Sequence, residues 1–241
     1  MNQIFQIAKR ELSGFFDSLM GYVLIVMFLG FSGFFTWIYG DDIFFIGEAN
    51  LNMFFKVAYW SLFFFIPSLT MRSLAGELRG GTLELLLTKP ISYWQLILGK
   101  FSSTVILISM ALAPSLIYYI SLWTIGSVDH AAIILGYLGL LLMSMTYISM
   151  GIFCSSLTDS PIIALLSTLC IGIFFHQIFE TIGSTSLGMT GSVFSSLSMF
   201  THFESISRGI FDLQDIIYFF SMIIFGLYAS KVILLSRNLN A

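Results

Sequence analysis

Six stretches of this chain are apolar for long enough to cross a lipid bilayer, and that recurrence decides the fold class before any motif is read. They run at about 20–39, 51–71, 96–123, 131–155, 161–179 and 216–235. A hydrocarbon core of about 30 Å needs roughly 20 such residues per helix. With 57% of 241 residues hydrophobic and 10% charged, a soluble domain of this size has too little interior to hide the apolar excess. The expected fold is all-α integral membrane: one domain over 1–241, six transmembrane helices, and no room for a soluble catalytic domain.

The segment 1–19 precedes the first span and differs from it. Ile4, Phe5, Ala8, Leu12, Phe15, Phe16 and Leu19 recur at helical spacing, while Gln6, Lys9, Arg10, Ser13 and Asp17 cover the other side. That pattern predicts a helix lying in the membrane interface. A secretory signal would instead have a short apolar core and a small-residue cleavage site.

Cations set the orientation. With the N-terminus inside, Lys9, Arg10, Arg72, Arg79, Lys89, Lys100, Lys231 and Arg237 fall on the cytoplasmic side, and only Lys56 and Arg208 outside. Both termini are therefore expected in the cytoplasm, and Asp41, Asp42, Glu48 and Asp129 outside. Cys154 and Cys170 are too few for a disulfide framework and lie at different depths.

Two links are long enough to have a task. In the cytoplasmic link, Gly80 and Gly81 break the chain, Thr82 is positioned to cap a short helix over 82–89, and Pro90 stops it. Glu84 and Thr88 share one face of that helix; Leu83, Leu86 and Leu87 form another. Ser92 and Gln95 read as a capping box opening the third span. Spacing alone fits both a helix resting on lipid and one seated on a partner. The outside segment 180–215 is rich in Ser, Thr and Gly, then amphipathic through Val193, Phe194, Leu197 and Phe200. Glu204 and Arg208 form an i, i+4 pair, Gly209 is placed to end that helix, and Asp212 to cap the last span. This pattern is consistent with a helix sealing the outer leaflet.

The run GGTLELLLTKPIS at 80–92, followed by YWQLILGK at 93–100, resembles the signature of ABC-2-type transporter permeases. More narrowly it is similar to the gliding-motility-associated ABC permease and its relative in nitrous oxide reductase maturation. The stretch HFESISRGIFDLQDIIYF at 202–219 resembles the segment leading into the last span of those permeases. The resemblance implies a type V exporter-like architecture in the bacterial inner membrane, with 1–19 as the elbow helix and 82–89 as the coupling helix. It implies two permease copies, each docked to a cytoplasmic cassette ATPase subunit, and an envelope accessory protein. By carry-over, Glu77, Gly81, Thr82, Leu83, Glu84, Leu86 and Pro90 are the ATPase-coupling residues, and His202, Glu204 and Arg208 belong to the outside gate or partner segment.

No catalytic constellation is present in the sequence. Arg79–Gly80–Gly81–Thr82 is not a Walker A loop, which needs Gly-x-x-x-x-Gly-Lys-Ser/Thr, so ATP hydrolysis is expected in a partner chain. No cofactor, metal or nucleic acid is expected. His176 and Glu180, at i, i+4, read as a hydrogen-bonded interfacial pair; His130 and His202 read as polar loop residues, and Lys56 as a snorkelling cation. Mid-span polar residues are chiefly Ser109, Ser144, Thr146, Ser167 and Thr168, with Pro67 and Pro114 as kinks. Without midplane carboxylates an ion-coupled carrier is disfavoured and an external motor expected. A membrane scaffold that transmits ATPase motion without transport shares every one of these motifs and stays open.

Overall fold

The computed structural model of the protein describes residues 3–38, 50–82, 91–126, 128–186 and 188–239. Helix α1 (Gln3–Asp17) is followed by α2 (Met20–Trp37), α3 (Asn52–Thr70) and the short α4 (Ala75–Arg79). Helix α5 (Tyr93–Leu112) continues through a 3₁₀ turn at Ala113–Ser115 into α6 (Leu116–Ile125). Then come α7 (His130–Leu157) and α8 (Pro161–Ile173), which passes through a π-helical turn at Phe174–Ile178 into α9 (Phe179–Thr185). Helices α10 (Met189–Leu197) and α11 (Met199–Ser207) precede α12 (Leu213–Leu239).

Six of these helical runs are long and apolar enough to span a membrane, matching the six stretches read from sequence. Their ends reflect local chemistry. Ser92 and Gln95 form the expected capping box at the start of α5. The Asp129 carboxylate accepts from the Ala131 and Ala132 amides at the start of α7, and Asp212 accepts from the Gln214 amide beside the start of α12. Pro114 falls in the 3₁₀ turn of the third span, whereas α3 runs through Pro67.

Helix α7 is the hub, packing on α3, α5, α8, α11 and α12. The spans at Asn52–Arg79 and His130–Leu157 are each 56% buried, against 28% for α2, 22% for the α8–α9 run and 28% for α12. The first two form the interior, and the others present Val26, Ile162, Ile224 and Phe225 to lipid. Small residues let the interior helices close up. A side chain on Gly136 would overlap the Phe55 ring, and one on Gly151 would overlap Thr70. The mid-span hydroxyls of Ser109, Ser144, Thr146, Thr168 and Ser230 donate to carbonyls four residues back, so each of these five is satisfied within its own helix.

Helix α1 lies against α5, with Ile7 and Ala8 buried. A Cβ on Gly99 would come within 2.6 Å of Ile7, which shows how closely the two backbones approach. The expected apolar face is thereby shifted: Phe5 is 58% exposed, and Ile7 takes the inward position. Leu19, at φ 58°, makes the corner between α1 and α2 in the left-handed region, a conformation costing a non-glycine residue about 1 kcal/mol.

Candidate functional site

The chain crosses the bundle so that α1, α4 and the start of α5 meet at one face, called here the elbow face. That face is organised around a buried cation. Lys100 lies seven residues past Tyr93, about 10 Å along α5, and its side chain is only 2% exposed. Its Nζ donates to Glu77 Oε1 at 2.8 Å and to Glu11 Oε1 at 3.2 Å. Arg10 Nη2 lies 3.0 Å from Glu11 and 3.6 Å from Glu77. Two cations and two carboxylates thus join three helices with no net charge. Of the four only Lys100 is fully buried, and its burial is tolerable because two carboxylates contact it.

Helix α4 is fixed from its other end as well. The Ser155 hydroxyl near the end of α7 accepts from the Leu74 and Ala75 amides at 3.0 and 2.9 Å, and donates to the Met71 carbonyl. These amides open α4 and have no intrahelical acceptor, so a side chain from the hub completes the helix. Gly80 ends α4, and Gly81 at φ 63° makes the turn that directs the chain into 82–89. The Thr82 hydroxyl donates back to the Glu77 carbonyl at 3.4 Å.

Of the residues expected to couple to a partner, Glu77, Gly81 and Thr82 are brought together at this base. The Glu77 carboxylate turns inward to Lys100, not outward, so its direct work is to hold α4. Leu83, Glu84, Leu86 and Pro90 lie outside the described residues, as do Leu87, Thr88 and Lys89 and the acidic loop residues Asp41, Asp42 and Glu48. At the same face Arg237 binds Asp159 at 2.6 Å and the Leu157 carbonyl at 2.7 Å, tying the end of α12 to the turn between α7 and α8. Lys231 lies over the Trp94 ring.

The opposite face differs from three sequence expectations. The region around Val193, Phe194, Leu197 and Phe200 is two helices, because Ser198 is extended and caps α11 by accepting from the Thr201 amide. His202 is not a loop residue. Its ring is buried on α11, with Nδ1 2.6 Å from Asp215 Oδ1 and Nε2 3.0 Å from the Ser196 carbonyl. The carbonyl can only accept, so Nε2 donates to it. Tyr218 stacks on the same ring at 4.1 Å and donates its hydroxyl to the Leu197 carbonyl. Glu204 and Arg208 form their i, i+4 pair at 2.6 Å, exposed beside the buried His202, and Gly209 ends α11 at φ 87°. His130 opens α7 and meets the Tyr119 hydroxyl at 2.8 Å.

His176 and Glu180 are not paired. The π-helical turn gives the helix an extra residue there, and that changes which side chains align. His176 points into an aromatic box, stacked on Tyr59 at 4.0 Å, beside Trp60 and Phe63, with Nδ1 2.7 Å from the Tyr147 hydroxyl. Glu180 takes the Gln177 amide instead. No group of three or more potential metal ligands occurs among the described residues.

Sequence reading missed Lys100, Glu11 and Arg10 as a unit, and Asp215, Tyr218 and Ser155 as anchors. The available signal was Lys100 itself, a cation well inside an apolar run, where an ionisable side chain requires a partner.

A family model described as ABC-2 family transporter protein matches residues 6–236. No curated protein matches the chain. The match takes in the elbow-face cluster, all six spans and the outer helices, and members of that family are membrane components of transporters. The chain belongs to the ABC-2 family of transporter membrane proteins.

Proposed function

We propose that the chain is the permease subunit of an ATP-driven complex in which a separate cassette ATPase docks on segment 82–89. The elbow face is then the cytoplasmic one, consistent with its share of Lys and Arg. The observation that carries this reading is the Arg10–Glu11–Glu77–Lys100 cluster. It braces α4 against the elbow helix and the third span, so that a push on the segment after Gly81 meets a rigid base. The resemblance to gliding-motility permeases supports a homodimer in a bacterial inner membrane, an accessory envelope protein, and export or mechanical envelope work.

The test is capture of the cassette subunit by full-length protein carrying Leu86→Asp, after equal membrane expression is confirmed. A docking anchor predicts at least a tenfold loss of the ATPase, because the substitution buries an unpaired carboxylate. Undiminished capture and ATPase stimulation would overturn the docking assignment.

A further inference from the structure

Lys56 is a cation in the membrane-facing part of α3, one turn from its start, and no carboxylate among the described residues lies within ion-pair distance of it. Two grooves meet at this residue. One, of about 590 Å³, runs between α2 and α3 and is walled by Met27, Phe31, Phe35, Trp60 and Phe64. The other, of about 320 Å³, lies towards α11 and carries Asn52, Tyr59, Glu204, Ser207 and Arg208. Both volumes fall within or near the range of small-molecule sites.

The grooves differ in chemistry in a way that matches one class of ligand. Lys56, Trp60 and Phe64 stand at i, i+4 and i+8, so they form a stripe about 12 Å long down one face of α3. The charged end lies near the outer end of the span, and the aromatic end points towards the bilayer centre. The second groove adds polar donors at the charged end only. Its acid, Glu204, is already held by Arg208 at 2.6 Å, which leaves Lys56 without a carboxylate partner among the described residues.

We propose that this composite groove binds an anionic phospholipid of the outer-end leaflet, with its phosphate on Lys56 and one acyl chain along the α2–α3 groove past Trp60 and Phe64. The depth order is that of a bilayer lipid. Charge complementarity separates this lipid from the ordinary ones around the bundle. The site is independent of ATPase docking, and its success or failure leaves that reading untouched.

The experiment uses full-length protein, delipidated in detergent and titrated with phosphatidylglycerol or phosphatidylcholine of identical chains. Native mass spectrometry should show phosphatidylglycerol retained at least fivefold more strongly. Lys56→Gln should remove that preference, Lys56→Arg should keep it, and the exposed Lys9→Gln should leave it unchanged. Phosphatidylglycerol brominated in its chains should quench fluorescence in the wild type more than in Trp60→Phe. Free glycerol phosphate should not compete at equal concentration, which separates a lipid from a soluble phosphate ligand. Equal retention of the two lipids, or a preference that survives Lys56→Gln, would reduce the site to ordinary surrounding lipid and overturn the proposal. So would a dimer that carries no lipid and shields Trp60 from the brominated chains, because a second copy would then fill the groove.

Discussion

Each face of the bundle buries a set of ionisable side chains, and the two sets are built differently. At the elbow face, Lys100 stands between two carboxylates while Arg10 reaches both, so each charge has more than one partner. At the opposite face a single contact, His202 to Asp215, carries the arrangement, supported by the Ser196 carbonyl and the Tyr218 ring. The first is a junction of three helices far apart in sequence. The second joins neighbouring helices across one short link. A shared network keeps its geometry when one contact lengthens, and a single contact does not. On the proposed reading, force from a partner ATPase would arrive at the first design, which is the better suited to receive it.

The difference is measurable. Lys100→Met removes the cation that two partly buried carboxylates share and should cost about 3 kcal/mol, read as a fall in the thermal unfolding midpoint in detergent. Adding Glu77→Gln to that variant should recover part of the loss, because one orphaned carboxylate disappears. Full stability of Lys100→Met would show that the elbow-face charges are solvated and do not brace α4. At the opposite face, His202→Phe combined with Asp215→Asn, which leaves no orphaned buried charge, should cost about 2 kcal/mol, the scale of one hydrogen bond to a charged group, with proteolysis concentrated in 189–207. A loss as large as that of Lys100→Met would erase the contrast. The smallest effect belongs to Glu204→Gln, whose exposed pair with Arg208 should be worth about 0.5 kcal/mol or less and should fade with added salt.

What could be read in advance divides along the range of the interaction. The six spans, the Ser92–Gln95 capping box, the Glu204–Arg208 pair, the Gly209 stop and the Asp212 cap all depend on residues within a few positions of one another, and helical spacing brings them together. Glu77 drew attention through its motif, but its partners Lys100 and Arg10 are 23 and 67 positions away, and only the fold unites them. The failure at His176 and Glu180 is instructive for the opposite reason. They are local, and the i, i+4 rule would have paired them in a regular helix. The π-helical turn broke the rule, and no residue in FFHQI announces such a turn. His202 misled for a similar reason: a polar residue in a Ser- and Gly-rich stretch reads as exposed until Asp215 is found beside it.

One feature of the hub helix links the two faces. Ser155, near one end of α7, holds the opening amides of α4, and Gly139, near the other end, lies against Phe203 and Ile206 of α11. With 28 residues, α7 is a rod of about 42 Å. Tilting that rod by about 5° about Ser155 carries Gly139, 16 residues or about 24 Å along it, sideways by about 2 Å, the size of the helix shifts that repack interfaces. The same hydroxyl that completes a five-residue helix therefore sits at the pivot of a lever whose arm carries the contact with α11.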